Sequence, residues 1–382
     1  MASSEMPSVT RWAVARKPIG AILVTMLLLS MISSPVVGEW ETDNWLSNVI
    51  GPERLALGDE FGCHGYEGLG IDEEPWTIGA CRDYLTNLTE ASRWGPTPIS
   101  FGLSGIDLEP YTSAALIDAG FEIVGDGSVG GADALAFFEN NGGTLEKTLA
   151  DWSLLESVEQ NSMVSIQWMA RIHDLKVRED KDMILWLEQQ DVWFTTWGEW
   201  HHHFLAGQRI DVTMEGPTII ASLDDSGSWS VPGSIMLGFV ESPLSVTDGS
   251  SPFPDLDPDM RHLQVGWRPL PGGILLTLSP GQIVTIELSD EIGALIETPL
   301  PTFNGLHHSV TVVGYHTTNL FYWSSDFQNS ELRFTWLVER PSSEEVGWLI
   351  PVLAISVMMA VPIAIRYLVN KDKMEPITPP VQ

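Results

Sequence analysis

MVSIQWMARIHDLKVREDKDMILWLEQQDVWFTTWGEWHHH, residues 163–203, is the stretch whose reading decides the fold. Its opening MVSIQ is a short apolar run that predicts a buried strand, with a polar exit carrying Arg171, His173 and Asp174. Residues 177–190 predict a helix with Val177, Ile184 and Leu187 on one face. Residues 191–197 are rich in β-branched and aromatic side chains. They predict a second strand ending in Gly198, Glu199, Trp200 and the triple His201, His202, His203. The unit therefore carries titratable groups at both strand ends. In parallel α/β sheets the helices cover the faces, so sites form at the open carboxyl edge.

The same alternation runs upstream. Asp72, Glu73, Glu74 and Pro75 form an acidic, proline-started first turn, and Ile78, Cys81, Leu85 and Leu88 follow at helical spacing. Strands are expected over 97–101 and 121–124 with a helix over 112–119 between them, then helices over 133–140 and 144–158. This order predicts an α/β fold with parallel strands over 39–208. After Gly207 the rhythm changes to short β runs separated by turn clusters such as Asp248-Gly-Ser-Ser-Pro and Leu270-Pro-Gly-Gly. An antiparallel β-sandwich is expected over 209–341.

The strand exit Ile172-His-Asp174, the intervening helix and Val192-Trp-Phe-Thr-Thr-Trp-Gly-Glu199 together resemble the closing third of polysaccharide deacetylases. Upstream, Leu57-Gly-Asp-Glu-Phe-Gly-Cys-His64-Gly-Tyr-Glu-Gly68 is similar to that family's strand ending in a metal-binding His-x-x-x-His. Ala119-Gly-Phe-Glu-Ile-Val-Gly-Asp126 is similar to a later strand. The resemblance covers residues 50–205. It implies an incomplete deacetylase-like β/α barrel, a divalent zinc-type metal, and a hydrolase acting on acetylated polysaccharide. It further implies His64 as a metal ligand, His173 as the acid-side histidine and Asp126 as its supporting carboxylate.

The chain departs from the family pattern at defined places. The opening Thr-Phe-Asp-Asp-Gly has no counterpart between Gly38 and Leu57, and the second metal histidine falls on Gly68. Glu67 is then a candidate replacement ligand, and Asp59 and Glu60 are the nearest candidates for a base. Glu199, Trp197 and Trp200 are candidates for a sugar-binding surface at the mouth. The triple histidine, read on a strand, puts at most His201 and His203 on one face, as a metal pair or an exposed cluster. Two functions stay open: a divergent carbohydrate deacetylase with weak or lost activity, and a degenerate module that binds glycan or a neighbouring protein.

The two ends predict export and anchoring. Arg11, Arg16 and Lys17 precede an apolar core and small residues, as in a signal peptide over 1–38. Residues 346–367 contain an apolar run long enough to cross a membrane, and the basic residues at and beyond its end place the tail 368–382 in the cytoplasm and the ectodomain outside the cell. Of 19 basic and 51 acidic residues, three basic ones lie before this ectodomain and three after it, and only Glu5, Asp372 and Glu375 of the acids fall outside. The ectodomain net charge of −35 repels polyanions and excludes nucleic acid as a partner. Cys63 and Cys81 are expected to form a disulfide in the oxidising exterior, paired thiolate ligands being the alternative. Asn87-Leu-Thr89 is an N-glycosylation pattern.

Overall fold

A computed structural model describes residues 51–66, 68–103, 108–126, 134–145, 159–169, 181–240, 242–315, 330–340 and 349–372. The signal segment, Glu67, His173 and most of the cytoplasmic tail lie outside the described residues.

The α/β part is built on parallel strands β1 (Glu60–Tyr66), β2 (Ser100–Gly102), β3 (Ile123–Gly125), β4 (Ala136–Phe138), β5 (Met163–Met169) and β6 (Trp193–Phe194). Two late strands, β16 (Ser309–Tyr315) and β17 (Phe334–Arg340), complete it. The order is β4-β3-β2-β1-β17-β16-β5, and β6 pairs the start of β16. β4 to β1 are neighbours in both space and sequence, as are β17 and β16, while β17 sits beside β1 and β16 beside β5. The sheet curls, and backbone bonds tie its two edges. Gly142 N donates to Ser165 O, Gln167 N to Gly143 O and Leu145 N to Gln167 O, all at 2.8 to 2.9 Å.

Alternation of side chains along each strand divides the core into two layers. Phe61, Cys63, Val312, Phe334, Trp336 and Val338 face outward and pack with Ile78, Cys81 and Leu85 of the helix Trp76–Leu88, here α2 after α1 (Gly51–Leu57). Val313, Tyr315 and Leu337 face inward with Ile99, Ile123 and Trp197. The expected disulfide is present: Cys63 on β1 is bonded to Cys81 on α2. Further helices are α3 (Pro110–Asp118), α4 (Lys181–Leu187), α5 (Trp197–Gln208) and α6 (Leu349–Asp372).

Two expectations are corrected here. Residues 309–340 do not belong to the sandwich: β16 pairs β5 in parallel from Ser309↔Met163 to Tyr315↔Met169, and β17 pairs β1 from Glu60↔Thr335. A strand buried on both faces reads as a continuous apolar run, which a sandwich strand also gives. The sandwich is therefore an insertion between β6 and β16. It has a five-stranded sheet, β11-β10-β14-β8-β7, and a four-stranded one, β12-β13-β9-β15, running from β7 (Asp211–Glu215) to β15 (Ile296–Pro299). All its pairs are antiparallel, and the inner faces share Ile219, Ala221, Val284 and Ile286 from one sheet with Ile235, Leu237, Ile274 and Leu276 from the other.

The second correction concerns 191–203. Only Trp193–Phe194 is strand, and Trp197–Gln208 is helix, so the triple histidine is helical. Thr196 caps α5, its Oγ1 accepting from Glu199 N at 3.2 Å.

In place of the span expected over 346–367, α6 runs over Leu349–Asp372 with Pro362 inside it. Among the described residues no helix is long and apolar enough to cross a membrane.

Candidate functional site at the carboxyl edge

β1 carries titratable groups at both ends, and its two ends differ in kind. At the amino end Asp59 is fully buried. Its oxygens accept from Arg54 Nε at 2.7 Å and Nη2 at 2.8 Å, from Trp336 Nε1 at 2.8 Å and from Phe334 N at 3.2 Å. Glu60, also fully buried, accepts from Gly198 N at 2.7 Å and from Ser100 Oγ. Burial raises the Glu60 carboxyl above its usual range, against the pull of these hydrogen bonds. Neither carboxylate reaches the carboxyl edge. As candidate bases both are corrected to structural acceptors, which tie β1 to α1, β2, α5 and β17.

Glu199 also belongs to the amino end, whereas the rings of Trp197 and Trp200 reach Phe138, the last residue of β4, at 5.8 and 5.4 Å. Trp197 N donates to Thr335 Oγ1 at 3.1 Å, its indole Nε1 donates to Ser165 Oγ at 2.7 Å, and its ring is fully buried. Glu199, 1 % exposed, accepts from Trp94 Nε1, from Thr195 Oγ1 at 3.1 Å and from Arg93 at 3.3 Å. Trp200 stacks on Phe204 with centroids 5.7 Å apart. Glu199 is thus committed to donors of the scaffold, while the Trp197 ring packs against Gly125 and Phe138 at the carboxyl ends of β3 and β4, and the half-buried Trp200 meets Phe138 edge-on.

His202 and His203 are buried as well. His203 Nδ1 donates to Pro232 O at 2.7 Å, and burial pushes its pKa down to about 4. His201 is also lowered to about 4, chiefly by burial and then by the neighbouring His202. His202 Nε2 lies 3.3 Å from Glu122 Oε2 and from Ser228 Oγ, so the pairing of His201 with His203 on one strand face does not occur.

The carboxyl edge gathers a different set. His64 follows Cys63 at a register shift in β1, where Cys63 pairs Val338 and Gly65 pairs Glu339. Such a bulge re-aims a side chain. His64 Nδ1 donates to Gly102 O at 2.7 Å, because a carbonyl can only accept, and this leaves the ring lone pair on Nε2. The ring meets Tyr315 edge-on, with centroids 5.2 Å apart and planes at 84°. Tyr315, from the end of β16, accepts at its hydroxyl from Asn140 Nδ2 at 3.3 Å. Burial, with a smaller push from Asp126, holds the Tyr315 phenol above its usual range. Asp126 stands just past β3 with φ 55°, its N donating to Phe138 O at 2.8 Å. Gly102 makes the arrangement sterically feasible. A Cβ there would meet Leu337 at 2.5 Å, Tyr315 at 2.9 Å and His64 Nδ1 at 3.2 Å.

Of the residues singled out in the sequence, the edge thus brings together His64 and Asp126, and adds Tyr315, Asn140 and Glu339. The signal for the additions was present: each stands at or near the end of a run that pairs in the parallel sheet. Asn87 is exposed on α2, its Nδ2 donating to Asp83 O at 2.8 Å. Among the described residues no cluster of three or more His, Cys, Asp or Glu could hold a metal. His64 alone falls short of the three protein ligands that a catalytic zinc site uses. Comparison with protein-family models, with curated proteins and with solved structures finds no match to this chain.

Proposed function

We propose that the chain is an exported, membrane-anchored cell-surface protein whose barrel mouth binds acetylated polysaccharide, on a deacetylase-like scaffold with weak or lost catalysis. One observation carries the reading. The histidine kept from the family pattern, His64, is held at the carboxyl edge in a single tautomer, while the nearest carboxylates in sequence, Asp59 and Glu60, are committed at the opposite end. The half-buried Asn140 amide and Asp126 carboxylate beside His64 suit a hydroxyl-rich ligand, and the fully buried Tyr315 backs the His64 ring. The uncharged run 346–365 of the sequence, followed by Arg366, Lys371 and Lys373, supports the anchor, basic residues staying on the cytoplasmic side.

The competing reading, active deacetylation, rests on the same histidine with Glu67, His173 and a zinc-type ion. Losing the base costs a factor of roughly 10² to 10⁴ in rate. The test uses the full chain in detergent, with acetylated chitooligosaccharides and acetylated xylan. Binding is expected for the wild type and weakened in His64→Ala, with acetate release near background whether or not zinc is added. Rapid zinc-dependent release that His64→Ala abolishes makes the protein an enzyme and overturns the degenerate reading.

A further inference from the structure

The amino end of the barrel concentrates cationic side chains in a protein of net charge −32. Arg54 is matched by Asp59 through two bonds. Arg93 lies 3.3 Å from Glu199 and stacks over Trp94 at 4.3 Å. Arg333 has no such match. It is 6 % exposed, its Nη1 donates only to the carbonyls of Glu331 and Leu332, and its Nε has no partner. No carboxylate among the described residues pairs with it. Burial pushes its pKa down to about 10, which still leaves it charged at neutral pH.

Arg333 and Arg93 converge on one point. Gly58 is buried with φ 114°, and a Cβ built there would lie 3.1 Å from Arg333 Nε and 3.3 Å from both Arg93 Nε and Cζ. Two like charges packed against one bare Cα repel, and a buried guanidinium without a counter-ion is costly. Asp59 and Glu199 lie near enough to favour the charged form of Arg333, but neither is hydrogen-bonded to it. We propose that Arg333 and Arg93 bind a monovalent inorganic anion of the halide class. A halide accepts N–H bonds from any direction, so it can serve two guanidinium groups that reach it at different angles.

The test uses the full chain in detergent at fixed ionic strength, with chloride or bromide replacing isethionate. Halide is expected to raise the unfolding temperature, and the folded-to-unfolded ratio rises about tenfold for each tenfold increase in halide above its dissociation constant. Arg333→Met removes that dependence, and Arg93→Gln weakens it and serves if Arg333→Met does not fold. Crystals soaked in bromide should show an anomalous peak within hydrogen-bond reach of Arg333 Nε. Absence of that peak, or an equal halide effect in the wild type and the folded variants, overturns the proposal.

Discussion

The two ends of strand β1 lie one short strand apart and use polar residues in opposite ways. At the amino end Asp59 and Glu60 are fully buried and each accepts at least two hydrogen bonds from other elements. At the carboxyl end His64 is half-buried and its described hydrogen bond is to one carbonyl. A buried carboxylate with all its donors in place is part of the scaffold, because removing either partner strands a charge. The imidazole is only half-buried, so it is not enclosed by the scaffold as the two carboxylates are.

Replacing Asp59 is the harshest way to test that difference. Asp59→Ala leaves Arg54 buried without its carboxylate, and a loss of about 3 to 5 kcal/mol in denaturant unfolding is expected. A loss below about 1 kcal/mol would show the amino end to be as dispensable as the mouth. The disulfide ties the outward face of β1 to α2. Cys63→Ala with Cys81→Ala should cost about 3 kcal/mol by chain entropy, read from the same unfolding curves.

His203 supplies a pH test of the amino end. Its folded pKa, about 4, lies below the ordinary 6.5, so the folded state binds fewer protons between those values. The stability it contributes is complete above pH 6.5 and is lost as pH falls toward 4, at up to about 1.4 kcal/mol per pH unit. His203→Phe keeps a ring against Trp193 and should flatten that slope; an unchanged slope assigns it to other groups. The smallest effect on stability belongs to the mouth. His64→Ala should change unfolding by only about 1 kcal/mol, the net worth of one hydrogen bond, while glycan binding falls.

Much of this was legible in the chain. Strand β1, helix α2 and the disulfide follow from apolar spacing and from the presence of just two cysteines, Cys63 and Cys81. His64 was found through the family pattern, at a strand exit where a site is expected. What misled was local ambiguity. The 309–315 and 332–338 runs are apolar because both faces are buried, and nothing within seven residues tells a parallel partner from an antiparallel one. Tyr315 and Glu339 were lost with them. The 196–199 stretch held a readable cue, since Thr196-Trp-Gly-Glu199 has the threonine and glutamate spacing of a helix capping box, yet its aromatic content favoured a strand.

The place of β17 between β1 and β16 also bears on how the chain acquires its shape. Phe334 N bonds to Asp59 across 275 residues, so β1 lacks its β17 neighbour until nearly the whole chain up to 334 has been synthesised. The sandwich between β6 and β16, by contrast, is built from contacts within about 90 residues of sequence and is complete before β17 emerges. Closing long loops costs entropy before any contact repays it, so barrel closure is expected to be the slow step and the sandwich the early one. During that interval one edge of β1 has unpaired backbone groups, the state in which strands pair wrongly. The chain's net charge of −32 keeps such unfinished copies apart through mutual repulsion.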